Sequence, residues 1–150
     1  MSVTKLHNLL ELGCSSNPIR GEIPPNMSML SKLVAFDAAD TFFTGTLPSE
    51  LGTELSSLTT LIIHNTTLTG CIPTSLFSMK SLEFLDLSNN RGLQGPIPNT
   101  TRLDLSFKTL LLNDCRLTGK IPEYMWKQSN IEVLDLSGII LMRGVSHLLF

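Results

Sequence analysis

Apolar positions recur along the chain on a beat of 24 or 25 residues. Leu12, Phe36, Leu61, Leu85, Leu110 and Leu134 keep it, and two residues after each comes Cys14, Ala38, Ile63, Leu87, Leu112 or Leu136. Side chains separated by one residue point to the same face of a strand, so each pair predicts a short strand with one buried face. A second marker keeps the same interval: Gly21-Glu22-Ile23-Pro24, Gly45-Thr46-Leu47-Pro48, Gly70-Cys71-Ile72-Pro73, Gly95-Pro96-Ile97-Pro98 and Gly119-Lys120-Ile121-Pro122. Two independent markers on one period define an internal repeat.

A short strand with one apolar face cannot stand alone, so such units must stack and share a continuous core. The chain has to leave each strand, turn through a glycine and return. The prolines fix φ on the return limb, where no ladder donor is needed. Further apolar residues are placed to fill the outer side: Met27 and Leu30, Leu51 and Leu55, Leu76 and Met79, Met125 and Trp126.

Leu58-x-x-Leu61-x-Ile63-x-x-Thr66-x-Leu68-x-Gly70-x-Ile72-Pro73 resembles the plant-type leucine-rich repeat, as does Leu82-x-x-Leu85-Asp86-Leu87-Ser88-x-Asn90. The resemblance runs from about Leu6 to about Gly144. It implies an α/β solenoid, a right-handed superhelix with a parallel β-sheet on its concave side. The chain reads as one domain, 1–150, with repeats at 6–29, 30–54, 55–78, 79–103, 104–127 and 128–150. Five are good coils, and the sixth, C-terminal coil is degenerate. The resemblance implies protein or peptide recognition of the kind found in receptor-like kinases and receptor-like proteins. Two alternatives are a soluble inhibitor of cell-wall-degrading enzymes, similar to the polygalacturonase inhibitors, and a scaffold fragment.

The family places an asparagine three residues after the second strand leucine, bonding the neighbouring coil. Here that series reads Asn17, Thr41, Thr66, Asn90, Cys115 and Ile139. Threonine and cysteine cannot match an amide's two-way bonding, so the ladder is thinned rather than lost. Arg91-Gly92 adds one residue before Leu93, and Gly92 is expected to supply the backbone freedom for it. Asn99 to Leu105 lacks the outer-side pattern and alternates, which predicts a local irregularity. The sixth coil lacks its asparagine and the proline after Gly144.

The chain has 150 residues, 42% of them hydrophobic and 16% charged, with a formal net charge of -2. That is too apolar for a disordered tail and lacks the basic face of a nucleic-acid binder. The apolar run Gly138-Ile139-Ile140-Leu141-Met142 is far short of the ~20 residues that span a bilayer, so no membrane insertion by this chain is expected. Residues 1–7 do not read as a secretory signal. An extracellular or cell-surface location is therefore implied by resemblance alone. Cys14, Cys71 and Cys115 leave at least one thiol unpaired, and neither end carries a cysteine-pair cap. The apolar end Val145–Phe150 suits either a truncated product or a small protein whose ends a partner covers. No catalytic constellation, metal set or cofactor loop appears, and His7, His64 and His147 stand isolated. No enzymatic activity and no cofactor are expected.

The candidate ligand surface is the set of outward positions on the concave strands. Between the buried pairs lie Gly13, Asp37, Ile62, Asp86, Leu111 and Asp135. Beyond them come Ser15, Ala39, His64, Ser88, Asn113 and Ser137, then Ser16, Asp40, Asn65, Asn89, Asp114 and Gly138. Glu11, Glu83 and Glu132 add acidity, with Lys108 opposing. Asp37, Asp40, Asp86, Asp114 and Asp135 thus favour a basic or polar peptide, with Ile62 and Leu111 as apolar anchors. The alternative is that Asp86 and Asp135, in Leu-Asp-Leu-Ser, merely solvate the strand. His64, between Asp40 and Asp86 in neighbouring columns, is a candidate pH-sensitive contact. Six strands at ~4.8 Å spacing offer only about 400 Å2, half of a standard ~800 Å2 patch, so a short peptide or a weak contact fits. A protein or peptide ligand and a co-receptor or capping partner are the expected partners. Candidate glycosylation triplets begin at Asn26, Asn65 and Asn99.

Overall fold

The computed structural model describes residues 5–102 and 104–141. Its elements run β1 (Glu11–Gly13), β2 (Arg20–Glu22), β3 (Ala35–Asp37), β4 (Phe42–Thr44), α1 (Glu50–Glu54), β5 (Thr60–Ile62) and β6 (Thr69–Gly70). Then follow β7 (Phe84–Asp86), β8 (Gly92–Pro96), β9 (Thr109–Leu111), β10 (Arg116–Gly119), α2 (Glu123–Lys127), β11 (Val133–Asp135) and β12 (Ile140–Leu141). Short 3-10 turns at Pro25–Met29 and Leu76–Ser78 take, in the first and third coils, the place of α1 and α2 in the second and fifth. Leu103, Gly144, His147 and Val145–Phe150 lie outside the described residues.

The odd-numbered strands form one parallel sheet in the order β1-β3-β5-β7-β9-β11. Its register sets Leu12 opposite Phe36, then Leu61, Leu85, Leu110 and Leu134, the row that the 24–25-residue beat predicts. The even-numbered strands pair along the flank, as β2-β4 and as β6-β8-β10-β12. Pairing there is staggered by two residues: Gly21 faces Phe43, and Leu117 faces Gly95.

The core fills the space between sheet and outer turns. Phe36, Leu61, Leu85 and Leu110 are at most 1% exposed, and Ala38, Ile63, Leu87 and Leu112 are fully buried. Truncating one such leucine to alanine removes about 2–5 kcal/mol of stability. From the outer side come Met27, Leu30, Leu51, Leu55, Leu76 and Met79, as expected. In the fifth coil the expectation needs correcting. Tyr124 and Met125 are buried, while Trp126 is 47% exposed. The single turn of α2 carries residue 126 round to the solvent side, and Tyr124 instead spans the outer gap, its hydroxyl donating to the Pro98 carbonyl at 3.1 Å.

The irregularity predicted after Pro98 is present. No helical turn is assigned among the described residues from Asn99 to Lys108. Leu105 and Phe107 alternate inward, and Phe107 packs on Phe77 with ring centroids 5.5 Å apart. Outside, Arg102 and Lys80 converge on the Asp104 carboxylate at 3.0 and 2.9 Å. They hold that carboxyl below its usual range.

The thinned ladder is visible bond by bond. Asn90 is fully buried; its amide donates to the Ile63 carbonyl one coil away at 2.7 Å and to the Leu87 carbonyl at 2.9 Å. Its Oδ1 accepts the Thr66 backbone N–H and hydroxyl. At the weaker positions, Thr41 reaches only the Ala38 carbonyl of its own coil, and the Cys115 thiol reaches only the Leu87 carbonyl at 3.2 Å.

Gly92 plays a different part from the one expected. It does not adopt a positive φ. A Cβ there would lie 2.3 Å from the Leu68 carbonyl oxygen, so glycine is required by the close approach of the neighbouring coil.

Candidate functional site

Each three-residue strand of the large sheet turns its middle side chain inward and its two flanking side chains outward. The second outward row is the expected one, with Gly13, Asp37, Ile62, Asp86, Leu111 and Asp135 in register. The first outward row, Glu11, Ala35, Thr60, Phe84, Thr109 and Val133, lies beside it in the same register. Sequence reasoning took only Glu11 from that row. The signal was available: the residue before each inward leucine alternates outward just as the one after it does.

The first row changes the chemistry of the face. Phe84 stands half-buried on β7, diagonal to Ile62 on β5 and Leu111 on β9, both half-buried as well. Val133 on β11, at the end of the same row, is 48% exposed. The centre of the face is therefore apolar over three adjacent strands.

The aspartates of the second row alternate with these anchors, and their carboxylates are drawn into their own turns. Oδ1 of Asp37 accepts the Ala39 N–H at 3.0 Å. Oδ1 of Asp86 accepts the Ser88 N–H at 2.9 Å and the Ser88 hydroxyl at 2.7 Å. Oδ1 of Asp135 accepts the Ser137 N–H at 2.9 Å, and the Ser137 donors hold this carboxyl below its ordinary range. Asp86 is only 8% exposed, so it offers a ligand little and acts as a turn former. Asp37 and Asp135 remain half-exposed.

The column at the strand ends has a backbone reason that the spacing did not reveal. Ser16, Asp40, Asn65, Asn89 and Asp114 all have φ between 51° and 56°, and Gly138 has φ 68°. Asp, Asn and Gly tolerate this left-handed conformation best. Asp40 and Asp114 are nevertheless exposed. Oδ1 of Asp40 accepts the Asn65 amide at 2.7 Å. His64 is half-buried in the row of Ala39 and Ser88, and its carbonyl accepts the Asp40 N–H at 3.1 Å. Lys108 is held by Glu83 at 2.6 Å, which raises the ammonium pKa and neutralises the base that opposes these acids.

Other candidates are placed as follows. Asn26, Asn65 and Asn99 are exposed, Asn26 on the first 3-10 turn and Asn99 just after Pro98. The three cysteines are free: Cys71 exposed, Cys14 half-buried and Cys115 buried, and burial raises the thiol pKa of the last two. Among the described residues no group of three or more His, Cys, Asp or Glu could hold a metal ion, and no helix is long and apolar enough to cross a membrane.

The Leucine Rich Repeat family model matches residues 81–103 and 106–127. Receptor-like protein 32 of Arabidopsis thaliana is 38% identical over 96 residues, 61% of this chain and 11% of that protein. Solved structures are similar over nearly the whole chain, two of them as follows. The leucine-rich-repeat ectodomain of the Arabidopsis thaliana membrane receptor kinase GASSHO1/SCHENGEN3, in complex with CASPARIAN STRIP INTEGRITY FACTOR 2, aligns with a TM-score of 0.85 at 29% identity, covering 93% of this chain and 17% of that one. The Arabidopsis receptor kinase HAESA, in complex with the peptide hormone IDA and the co-receptor SERK1, aligns with a TM-score of 0.82 at 27% identity, covering 91% and 23%. The chain spans 11% of the length of the curated receptor-like proteins it matches.

Proposed function

We propose that this chain, a plant-type leucine-rich-repeat solenoid resembling the ectodomains of receptor-like proteins and receptor kinases, recognises a peptide or protein through its concave sheet without catalysis. The observation that carries the reading is the apolar centre, Ile62, Phe84 and Leu111, set among the exposed carboxylates of Asp40 and Asp114. An apolar strip beside acids selects a short extended peptide that combines an apolar residue with a basic one. The peptide and co-receptor in the HAESA complex support the same class of partner, a peptide ligand with a second protein. An extracellular setting fits this reading, and Asn26 and Asn99 lie where a sugar would leave the concave face clear. Asn65 would not.

Calorimetry of the chain with short peptides pairing Leu or Phe with Arg or Lys tests the assignment. Ile62→Arg, Phe84→Arg and Leu111→Arg are each expected to abolish binding while leaving the far-UV spectrum unchanged. Met29→Arg, on the outer side, is expected to leave binding intact. Binding that survives all three concave substitutions would place the ligand elsewhere.

A further inference from the structure

The flank beside the concave sheet carries charge of the opposite sign. An open cavity of about 520 Å3 there is lined by Asn65, Thr66, Thr67, Asn89, Arg91, Gly92 and Arg116, with Leu68 at its base. Gly92 and Arg116 are the residues that precede the inward Leu93 and Leu117 in successive coils, and Gly92 lets the fourth coil approach the Leu68 backbone closely. Arg91 lines the same notch. Both arginines are exposed, and among the described residues neither forms an ion pair.

The donors in this notch are unevenly committed. The Thr66 hydroxyl donates to Asn90 Oδ1 and the Thr67 hydroxyl to the Phe43 carbonyl. The Asn65 amide donates to Asp40. The guanidiniums and the Asn89 amide remain for a ligand, and guanidinium forks match planar carboxylates in a bidentate way. The nearby acids, Asp40 and Asp114, are exposed, and neither pairs with Arg91 or Arg116. A smaller cavity of about 210 Å3 shares Asn65, Thr66 and Thr67 and extends the groove past Asp40, whose carboxylate accepts the Asn65 amide, to Phe42, whose ring is covered by the Arg20 guanidinium at 4.5 Å.

We propose that this flank notch is a second binding site, separate from the concave strands, which takes a carboxylate of an acidic peptide between Arg91 and Arg116. The groove's extension past Thr67 gives room for an extended chain rather than a single ion. The site does not depend on the concave reading.

The test is titration of the 15N-labelled chain with acetyl-triglutamate amide, with acetyl-triglutamine amide and with sodium sulfate. Triglutamate is expected to shift the amides of Thr66, Thr67 and Gly92 and the Nε signals of Arg91 and Arg116 saturably, more weakly as salt rises. Arg91→Gln or Arg116→Gln is expected to weaken this binding about tenfold, as for loss of a charge-assisted hydrogen bond. The double variant is expected to abolish it with an unchanged melting curve. Leu111→Arg should leave it intact, which separates this site from the concave one. Shifts absent from the notch, equal for triglutamine, or persisting in the double variant would overturn the proposal. Sulfate binding as tightly as triglutamate would overturn the carboxylate assignment.

Discussion

Asn90→Ala should cost far more than its single lost side chain suggests. The amide is fully buried between the third and fourth coils, where water cannot replace it. Its removal leaves the Ile63 carbonyl and the Thr66 N–H without their side-chain partner, and the half-buried Thr66 hydroxyl can turn to solvent, whereas the Leu87 carbonyl keeps the Cys115 thiol. Two orphaned groups at about 1–3 kcal/mol each, less what local settling recovers, give a loss of about 3–4 kcal/mol. For a domain of this size that is a fall in melting temperature of about 10 °C. Cys115→Ala is the natural comparison: it removes one weak donor to a carbonyl that Asn90 still serves, and should cost about 1 kcal/mol. Urea unfolding followed by circular dichroism measures both. If Asn90→Ala lies within about 1 kcal/mol of the parent, or no lower than Cys115→Ala, the inter-coil amide is not what joins these coils.

Gly92→Ala, which drives a methyl to 2.3 Å from the Leu68 carbonyl, is expected to destabilise by several kcal/mol and to broaden the transition. Gly21→Ala, with open space around it but φ at +101°, should cost about 1–3 kcal/mol, and equal losses in the two variants would refute the close-approach argument. Acid should weaken the fold. Asp104, Glu123 and Asp135 are held below the ordinary carboxylate range by Lys80 and Arg102, by Lys127 and by Ser137 respectively. A depressed folded pKa contributes stability that is complete above the unfolded value of about 4 and is lost as pH falls through the folded one. Melting temperature should therefore be flat between about pH 7 and 5 and fall below about pH 4. High salt should erase the part due to Asp104 and Glu123 but not that of Asp135, whose partners are uncharged. A melting temperature that holds steady down to about pH 3 would contradict these assignments.

Much of the architecture was legible because a stacked fold repeats its constraints at a fixed interval. Leu61 and Ile63 reveal their inward facing by spacing, and Leu85 and Leu87 repeat it one turn on. The asparagine series could be read to the level of single bonds, down to the weak thiol at Cys115. What escaped was set by surroundings rather than by period. Nothing in the identity of Gly92 says whether it serves a turn or makes way for Leu68. Trp126 and Tyr124 both suit a core, and only the angle at which α2 leaves Pro122 decides between them. Phe84 is an aromatic next to an inward leucine, and only the strand register puts it in an outward row beside Ile62 and Leu111. The bond of Asp86 to Ser88 is local and leaves no trace in composition, so spacing alone leaves open whether Asp86 meets a ligand or serves its own strand end.

The left-handed column at the strand ends also bears on how such a surface can change over generations. A newly arising variant at Asp40, Asn65, Asn89 or Asp114 must first satisfy the main chain, so only a small alphabet of residues survives there. No such filter acts at Thr60, Ile62, Phe84, Thr109 or Leu111, where any side chain that leaves the strand intact is admissible. Novelty in what the molecule greets should thus accumulate in two narrow lanes, bordered by a third that stands nearly still.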